Sequence, residues 1–159
     1  MLSINIICIG KIKEKFFRDA IDEYSKRLSK YCKLNIVELP DEKIPDNPSN
    51  KIVECIKLKE SNNIINHIKK DSYIICLDLK GKEYSSENLS KHIDELSLFT
   101  SNITFIIGGS LGLHKDILSL SNENICFSKM TFPHQLIRIF LLEQIFRSFK
   151  ISNGETYHK

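Results

Sequence analysis

Several common nucleotide-binding and hydrolase signatures are missing from this sequence of 159 residues, and it contains no tryptophan. Neither G-x-G-x-x-G nor G-x-x-x-x-G-K-[ST] occurs, which excludes the dinucleotide fingerprint and the phosphate-binding loop of P-loop proteins. H-E-x-x-H is also absent, and we expect no hydrolase chemistry.

Metal-binding and membrane-spanning patterns are missing as well. The five cysteines are irregularly spaced without a C-x-x-C, so we expect no metal site and interpret them as small apolar residues of a reducing compartment. Residues 96–113 lack charge but are interrupted by Thr100, Ser101 and Asn102, so they do not predict a membrane span. The short apolar N-terminal run does not resemble a signal peptide, and we expect a cytoplasmic protein. A net charge of +3 permits an RNA substrate without arguing for one.

Apolar runs and helical spacings alternate along the chain. Apolar or alternating runs predict strands at residues 2–9, 33–39, 73–79, 103–107 and 125–127. Helices are predicted between them, with Ser85 or Ser86 capping the third, and three prolines mark residues 40–48 as a loop. This alternation predicts one α/β domain over residues 1–159, with a mainly parallel sheet of about five strands and helices on both faces.

Three predicted strand ends carry unusual loops, at residues 77–81, 108–112 and 127–132. Ligands of open α/β sheets bind beyond the carboxyl ends of the strands. Three of the six glycines fall within 108–112, where backbone could approach a ligand closely, although a tight turn explains them equally well. In the third loop, Thr131 is placed to cap the last helix, and Lys129 and Met130 are as readily explained as exposed and inert.

The last predicted helix runs from about Pro133 to Phe149 and is apolar on two sides. Core burial and a homodimer interface explain this equally well. The tail that follows is expected to fray, although Tyr157 and His158 could stack on a base and move a proton. His67 and His92 are predicted to be solvent-exposed, whereas His114 and His134 adjoin the candidate loops.

Five segments carry a full-length resemblance to a known family: IGKIKEKFFRDAIDEYSKRL, PDEK, FIIGGSLGLHKD, FSKMTFPHQ and the terminal YHK. The chain resembles the bacterial ribosomal RNA large-subunit methyltransferase H family, which belongs to the SPOUT class. This resemblance implies a C-terminal trefoil knot, a homodimer, and S-adenosylmethionine as the cofactor. It also implies methylation of N3 of a pseudouridine in 23S rRNA on the assembled ribosome.

The resemblance also assigns site residues. It implies that cofactor contacts come from the three loops, at Leu77, Gly108, Phe127, Ser128, Lys129, Met130, Thr131 and Phe132. It places Tyr157 and His158 in the catalytic tail, and we assign RNA contacts to Lys159, Arg138 and His134. No metal is implied.

For the mechanism, His158 is our candidate to accept the N3 proton, with Tyr157 orienting the base and His134 in reserve. Two alternative functions are a knotted methyltransferase acting on tRNA and a non-catalytic ribosome-associated nucleotide-binding module.

Overall fold

The computed structural model describes all 159 residues, and its strands and helices alternate along the chain. The strands are β1 (Ser3–Ile9), β2 (Lys33–Leu39), β3 (Tyr73–Glu83), β4 (Asn102–Ile107) and β5 (Glu123–Cys126). The helices are α1 (Lys15–Leu28), α2 (Asn50–His67), α3 (Ser86–Ser97), α4 (Lys115–Leu120) and α5 (His134–Ser152).

The five strands form one sheet in the order β2-β1-β4-β3-β5, and every neighbouring pair is parallel. The predicted parallel α/β architecture is therefore confirmed. Side chains alternate across the sheet, so that Ile4, Ile6 and Cys8 pack under α1, α3 and α5. Ile7 and Ile9 point to the opposite face, where they pack with α2 and α4. Helices thus cover both faces, as predicted.

Strand β3 is longer than predicted because it resumes after an interruption. Leu77 and Lys82 both align with Ile125 of β5, so residues 78–81 loop out of the sheet between them. At Gly81 a Cβ atom would come within 2.6 Å of the backbone N and C of Ile125, so only glycine fits there. The outward loop lies at one of the three strand ends that the sequence predicted.

The predicted helix ends are partly wrong. Ser85 caps α3 by accepting a hydrogen bond from the Asn88 N–H at 3.1 Å, as predicted. Thr131 does not cap α5, because Pro133 occupies the cap position without a side-chain hydrogen bond. Helix α5 continues to Ser152 rather than ending at Phe149, since the apolar pattern on which we relied stops before the helical backbone does.

No helix in the structure combines the length and apolar character that crossing a membrane requires. The trefoil knot stays a prediction.

Candidate active site

A cavity of about 820 Å³ lies beyond the carboxyl ends of the strands. It is bounded by the three loops that the sequence singled out, residues 77–81, 108–112 and 127–132. Seven of the eight predicted cofactor contacts line it: Leu77, Gly108, Phe127, Ser128, Met130, Thr131 and Phe132. The eighth, Lys129, is exposed and does not line the cavity.

The glycine loop, residues 108–112, closes on itself. The Gly112 N–H donates to the Gly109 carbonyl oxygen at 3.0 Å. A Cβ atom on Gly108 would sit 3.0 Å from the backbone carbon of Gly112 and from Cγ of Leu113. Because Leu113 is buried in the core, this side of the loop cannot yield to a larger residue. Glycine at 108 therefore keeps the loop compact and its backbone open to the cavity.

The segment 127–132 is a thin wall between two cavities. Phe127, Ser128 and Phe132 line both the large cavity and a second one of about 300 Å³ beside α3 and α5. The wall is fixed by the Ser128 hydroxyl, which accepts the Met130 N–H at 3.0 Å. Phe132 packs edge-on against Phe140 of α5 at 5.4 Å between ring centroids. Both faces of this segment are therefore accessible to small groups.

His134 lies at the rim of the large cavity, at the start of α5. Its Nδ1 is buried and has no hydrogen-bond partner. Burial lowers the pKa of His134, and the nearby charge of Arg138 lowers it further, against the opposing carboxylates of Asp41 and Glu14. A neutral imidazole at the rim can accept a proton or a hydrogen bond.

Arg138 is not placed for the RNA contact that we assigned to it. Its side chain is only 2% exposed, and its guanidinium donates to a Glu38 carboxylate oxygen at 2.8 Å. The guanidinium also donates to the backbone oxygens of Ile9 and Gly10 at 3.1 and 2.6 Å. Arg138 therefore joins α5 to the ends of β1 and β2 and has no free face for a phosphate.

The C-terminal tail is packed rather than frayed. The Tyr157 hydroxyl donates to Glu143 at 2.9 Å, and its ring meets Phe146 edge-on at 5.0 Å and lies under the guanidinium of Arg147. His158 is 3.2 Å from Arg147 through Nδ1 and 2.7 Å from a Glu87 oxygen through Nε2.

Glu143 is the centre of the contacts that hold the tail. Besides the hydrogen bond from Tyr157, Glu143 accepts one from the Tyr24 hydroxyl at 2.7 Å and two from the Arg147 guanidinium at 3.0 and 2.6 Å. Burial acts to raise the pKa of Glu143, but the hydrogen bonds from Tyr24, Arg147 and Tyr157 outweigh it and hold the pKa below its ordinary value. The carboxylate thus links α1, α5 and the tail.

The tail does not line the large cavity. Tyr157 and His158 contact Glu143 and Arg147, which follow Ile137, the last residue of α5 that lines the cavity, by 6 and 10 positions (143 − 137 and 147 − 137). At about 1.5 Å rise per helical residue, these positions lie roughly 9 and 15 Å along α5. The structure therefore does not bring the predicted catalytic residues together with the predicted cofactor loops within one chain.

Of the remaining histidines, His92 and His114 serve the fold, and the prediction that His92 is solvent-exposed is wrong. His67 is exposed, as expected. His92 is half-buried because its ring stacks on Tyr84 at 5.4 Å between centroids and pairs with Glu123. His114 is buried and caps α4 by accepting the Asp116 N–H at 3.1 Å.

The cavity has the dimensions and lining that a bound nucleoside cofactor requires. Its volume lies within the roughly 300–1,000 Å³ range of small-molecule sites. Apolar side chains at Leu77, Phe127 and Phe132 suit a purine ring, while the exposed backbone of the glycine loop supplies polar groups. S-adenosylmethionine therefore fits the residues present.

The chain is similar to known proteins over almost its whole length. A family model described as "Predicted SPOUT methyltransferase" matches residues 2–158. A protein of Clostridium botulinum (strain Alaska E43 / Type E3) named Ribosomal RNA large subunit methyltransferase H is 63% identical, covering 99% of this chain and 100% of its own length. Proteins of the same name from Clostridium novyi (strain NT) and Clostridium beijerinckii (strain ATCC 51743 / NCIMB 8052) are 59% and 58% identical with the same coverage. The chain belongs to the SPOUT methyltransferase family.

Proposed function

We propose that this enzyme methylates N3 of a pseudouridine in 23S rRNA on the assembled ribosome, with S-adenosylmethionine as the methyl donor. The observation that carries the proposal is the single cavity formed by three loops that are distant in sequence but adjacent at the strand ends. The names of the similar proteins support the rRNA substrate. An enzyme acting on ribosomes works in the cytoplasm.

In this proposal the three loops hold the cofactor. Leu77, Gly108 and the segment 127–132 enclose it, and Lys129, which is exposed beside the cavity, reaches it only if its side chain turns inward. When bound, S-adenosylmethionine supplies an electrophilic methyl group on a sulfonium. The contribution of the protein is to hold the target nitrogen in line with that methyl group.

Proton removal from N3 falls to the tail. His158 accepts the proton on Nδ1 as the nitrogen–methyl bond forms, which requires Nδ1 to leave the Arg147 guanidinium that donates to it, and Tyr157 stacks on or orients the base. The neutral, unpaired Nδ1 of His134 is the reserve acceptor. Lys159, which is exposed, contacts RNA phosphate together with His134, whereas Arg138 leaves this set because it is buried.

The separation of tail and cavity supports a homodimer in which each tail completes the site of the other subunit. Half-buried apolar side chains on α5, including Leu136, Ile139 and Phe140, and the 73% exposed Met130 at the cavity rim offer an apolar face for the second copy. A pair of subunits would also double the positive charge that a single chain presents to RNA.

Transfer of radiolabelled methyl groups tests the substrate. We expect labelling of assembled ribosomes well above that of free 23S rRNA or tRNA. Preferential labelling of tRNA would establish the first alternative, and a rise in melting temperature with S-adenosylmethionine but no labelling of any RNA would establish the non-catalytic module.

Removal of residues 157–159 tests the role of the tail. We expect loss of turnover with nearly unchanged cofactor affinity, because the tail does not line the cavity. Full activity of the truncated enzyme would refute the role of the tail.

Mixing truncated subunits with Gly108→Val subunits tests which subunit supplies the tail. If tails act across the dimer, mixed dimers regain one complete site and recover activity. If each tail acts in its own subunit, mixing restores nothing.

A further inference from the structure

Glu60 is a buried carboxylate behind the candidate active site that the proposed chemistry does not use. It lies on α2 and is only 7% exposed. The one hydrogen bond to its side chain comes from the backbone N–H of Glu42, at 3.2 Å from Oε2. A carboxylate in such a place costs free energy of folding unless its contacts compensate for the lost hydration.

The other neighbour of Glu60 is the glycine loop. A Cβ atom on Gly109 would sit 3.6 and 3.7 Å from the two carboxylate oxygens of Glu60, which is ordinary van der Waals contact. Gly109 also lines the large cavity. The carboxylate therefore lies beside Gly109, close enough that a side chain at that position would touch it.

The segment that donates to Glu60, residues 40–43, reaches the same site from another side. The charge of Asp41 is close enough to His134 to oppose the lowering of its pKa, and His134 lies at the cavity rim. A single side chain thus lies beside the glycine loop and accepts a hydrogen bond from a segment that approaches His134.

Stability alone does not explain this carboxylate. Burial raises the pKa of Glu60, and the charges of Asp41 and Glu42 raise it further, while the Glu42 N–H lowers it. An apolar side chain of similar size would avoid this cost. Proteins tolerate a buried polar group that lowers stability where that group positions a functional site.

We propose that Glu60 is a positioning residue that fixes the glycine loop relative to residues 40–43 and thereby sets the affinity for the cofactor. The affinity part of this inference rests on the proposed function. The positioning part concerns the protein alone and holds without a ligand.

The test removes the acceptor and the donor separately. Glu60→Met deletes the acceptor at similar volume, whereas Glu60→Gln keeps an acceptor oxygen without the charge. Glu42→Pro deletes the donor at an exposed position, and Glu42→Ala is its matched control because it keeps the N–H. Ser61→Ala controls for loss of a neighbouring buried polar group whose Oγ has no partner.

Two measurements on the full-length proteins read out the result. Hydrogen exchange without ligand reports the order of residues 108–112, and calorimetry with S-adenosylmethionine reports affinity. We expect Glu60→Met and Glu42→Pro to speed exchange in the glycine loop and to weaken binding about tenfold, the order of effect of one lost hydrogen bond. Glu60→Gln and the two alanine controls should stay within about threefold of the parent.

The outcomes separate the two proposals. Unchanged exchange in Glu42→Pro overturns the positioning role even if Glu60→Met fails to fold. If Glu60→Gln weakens cofactor binding as much as Glu60→Met does, the explanation by a hydrogen bond is overturned. A third result is that the parent protein fails to bind S-adenosylmethionine while the variants still exchange faster in residues 108–112. That result would uphold the positioning role and refute the proposed function.

Discussion

Glu143→Gln should release the tail and remove a pH-dependent part of the stability. The side chain is 17% exposed and accepts hydrogen bonds from two tyrosines and Arg147. Bonds to a charged acceptor contribute about 1 kcal/mol more than neutral ones. Since glutamine keeps part of the network, we expect the free energy of unfolding at pH 7 to fall by about 2 kcal/mol.

The sign of the pH dependence follows from the lowered pKa of Glu143 in the folded state. Its stabilisation is fully present above the ordinary value of 4.5 and is lost as the pH falls through the lower folded value. The difference between parent and variant should therefore be largest near neutral pH. It should shrink as the pH falls below 4.5, where the parent becomes protonated and loses the same charge.

Urea unfolding at several pH values and one fixed protein concentration measures this difference. The control is Glu23→Gln, which breaks an exposed pair with Arg27 four residues away in α1 and should change stability by less than about 0.5 kcal/mol. A difference for Glu143→Gln that is independent of pH would refute the reasoning, as would one no larger than that of the control.

Two further substitutions have defined outcomes. Gly108→Val should abolish calorimetrically detectable cofactor binding, because its Cβ meets the backbone of Gly112 and the buried Leu113 at 3.0 Å; unchanged binding would contradict this placement of the cofactor. Arg138→Met should lower the free energy of unfolding by about 3 kcal/mol, because Glu38 loses its buried partner. The double variant with Glu38→Gln should recover part of that loss, and no recovery in urea unfolding would argue against the ion pair.

The fold was largely predictable because its signals are local. Buried parallel strands such as β1 and β4 are continuous apolar runs, and the spacing of apolar residues in α1 and α3 marks their inner faces. The end of β3 was less predictable, since pairing resumes at Lys82 only because β5 lies alongside. The need for glycine at position 81 was likewise not predictable from local sequence, because it arises from tertiary packing against the backbone of Ile125.

The site was predictable in part. Strand ends and glycines pointed to the three loops, although resemblance was needed to choose a ligand loop over a tight turn. The roles of Glu60 and Glu143 could not be foreseen, because a glutamate on a helix is normally solvated and no local pattern reveals a partner 119 positions away, as Tyr24 is from Glu143. Arg138 was misjudged for the same reason, since its partners lie at the ends of β1 and β2.

The contacts of Arg138 have a consequence for how the chain acquires its structure. The guanidinium meets the backbone of Gly10 across 128 positions and the carboxylate of Glu38 across 100. During synthesis the first two strands therefore emerge long before the helix that completes them. Contacts so distant in sequence close slowly, so we expect the final docking of α5 to limit the folding rate. Until that docking, newly made chains should expose the apolar face of β1 and depend on protection from aggregation.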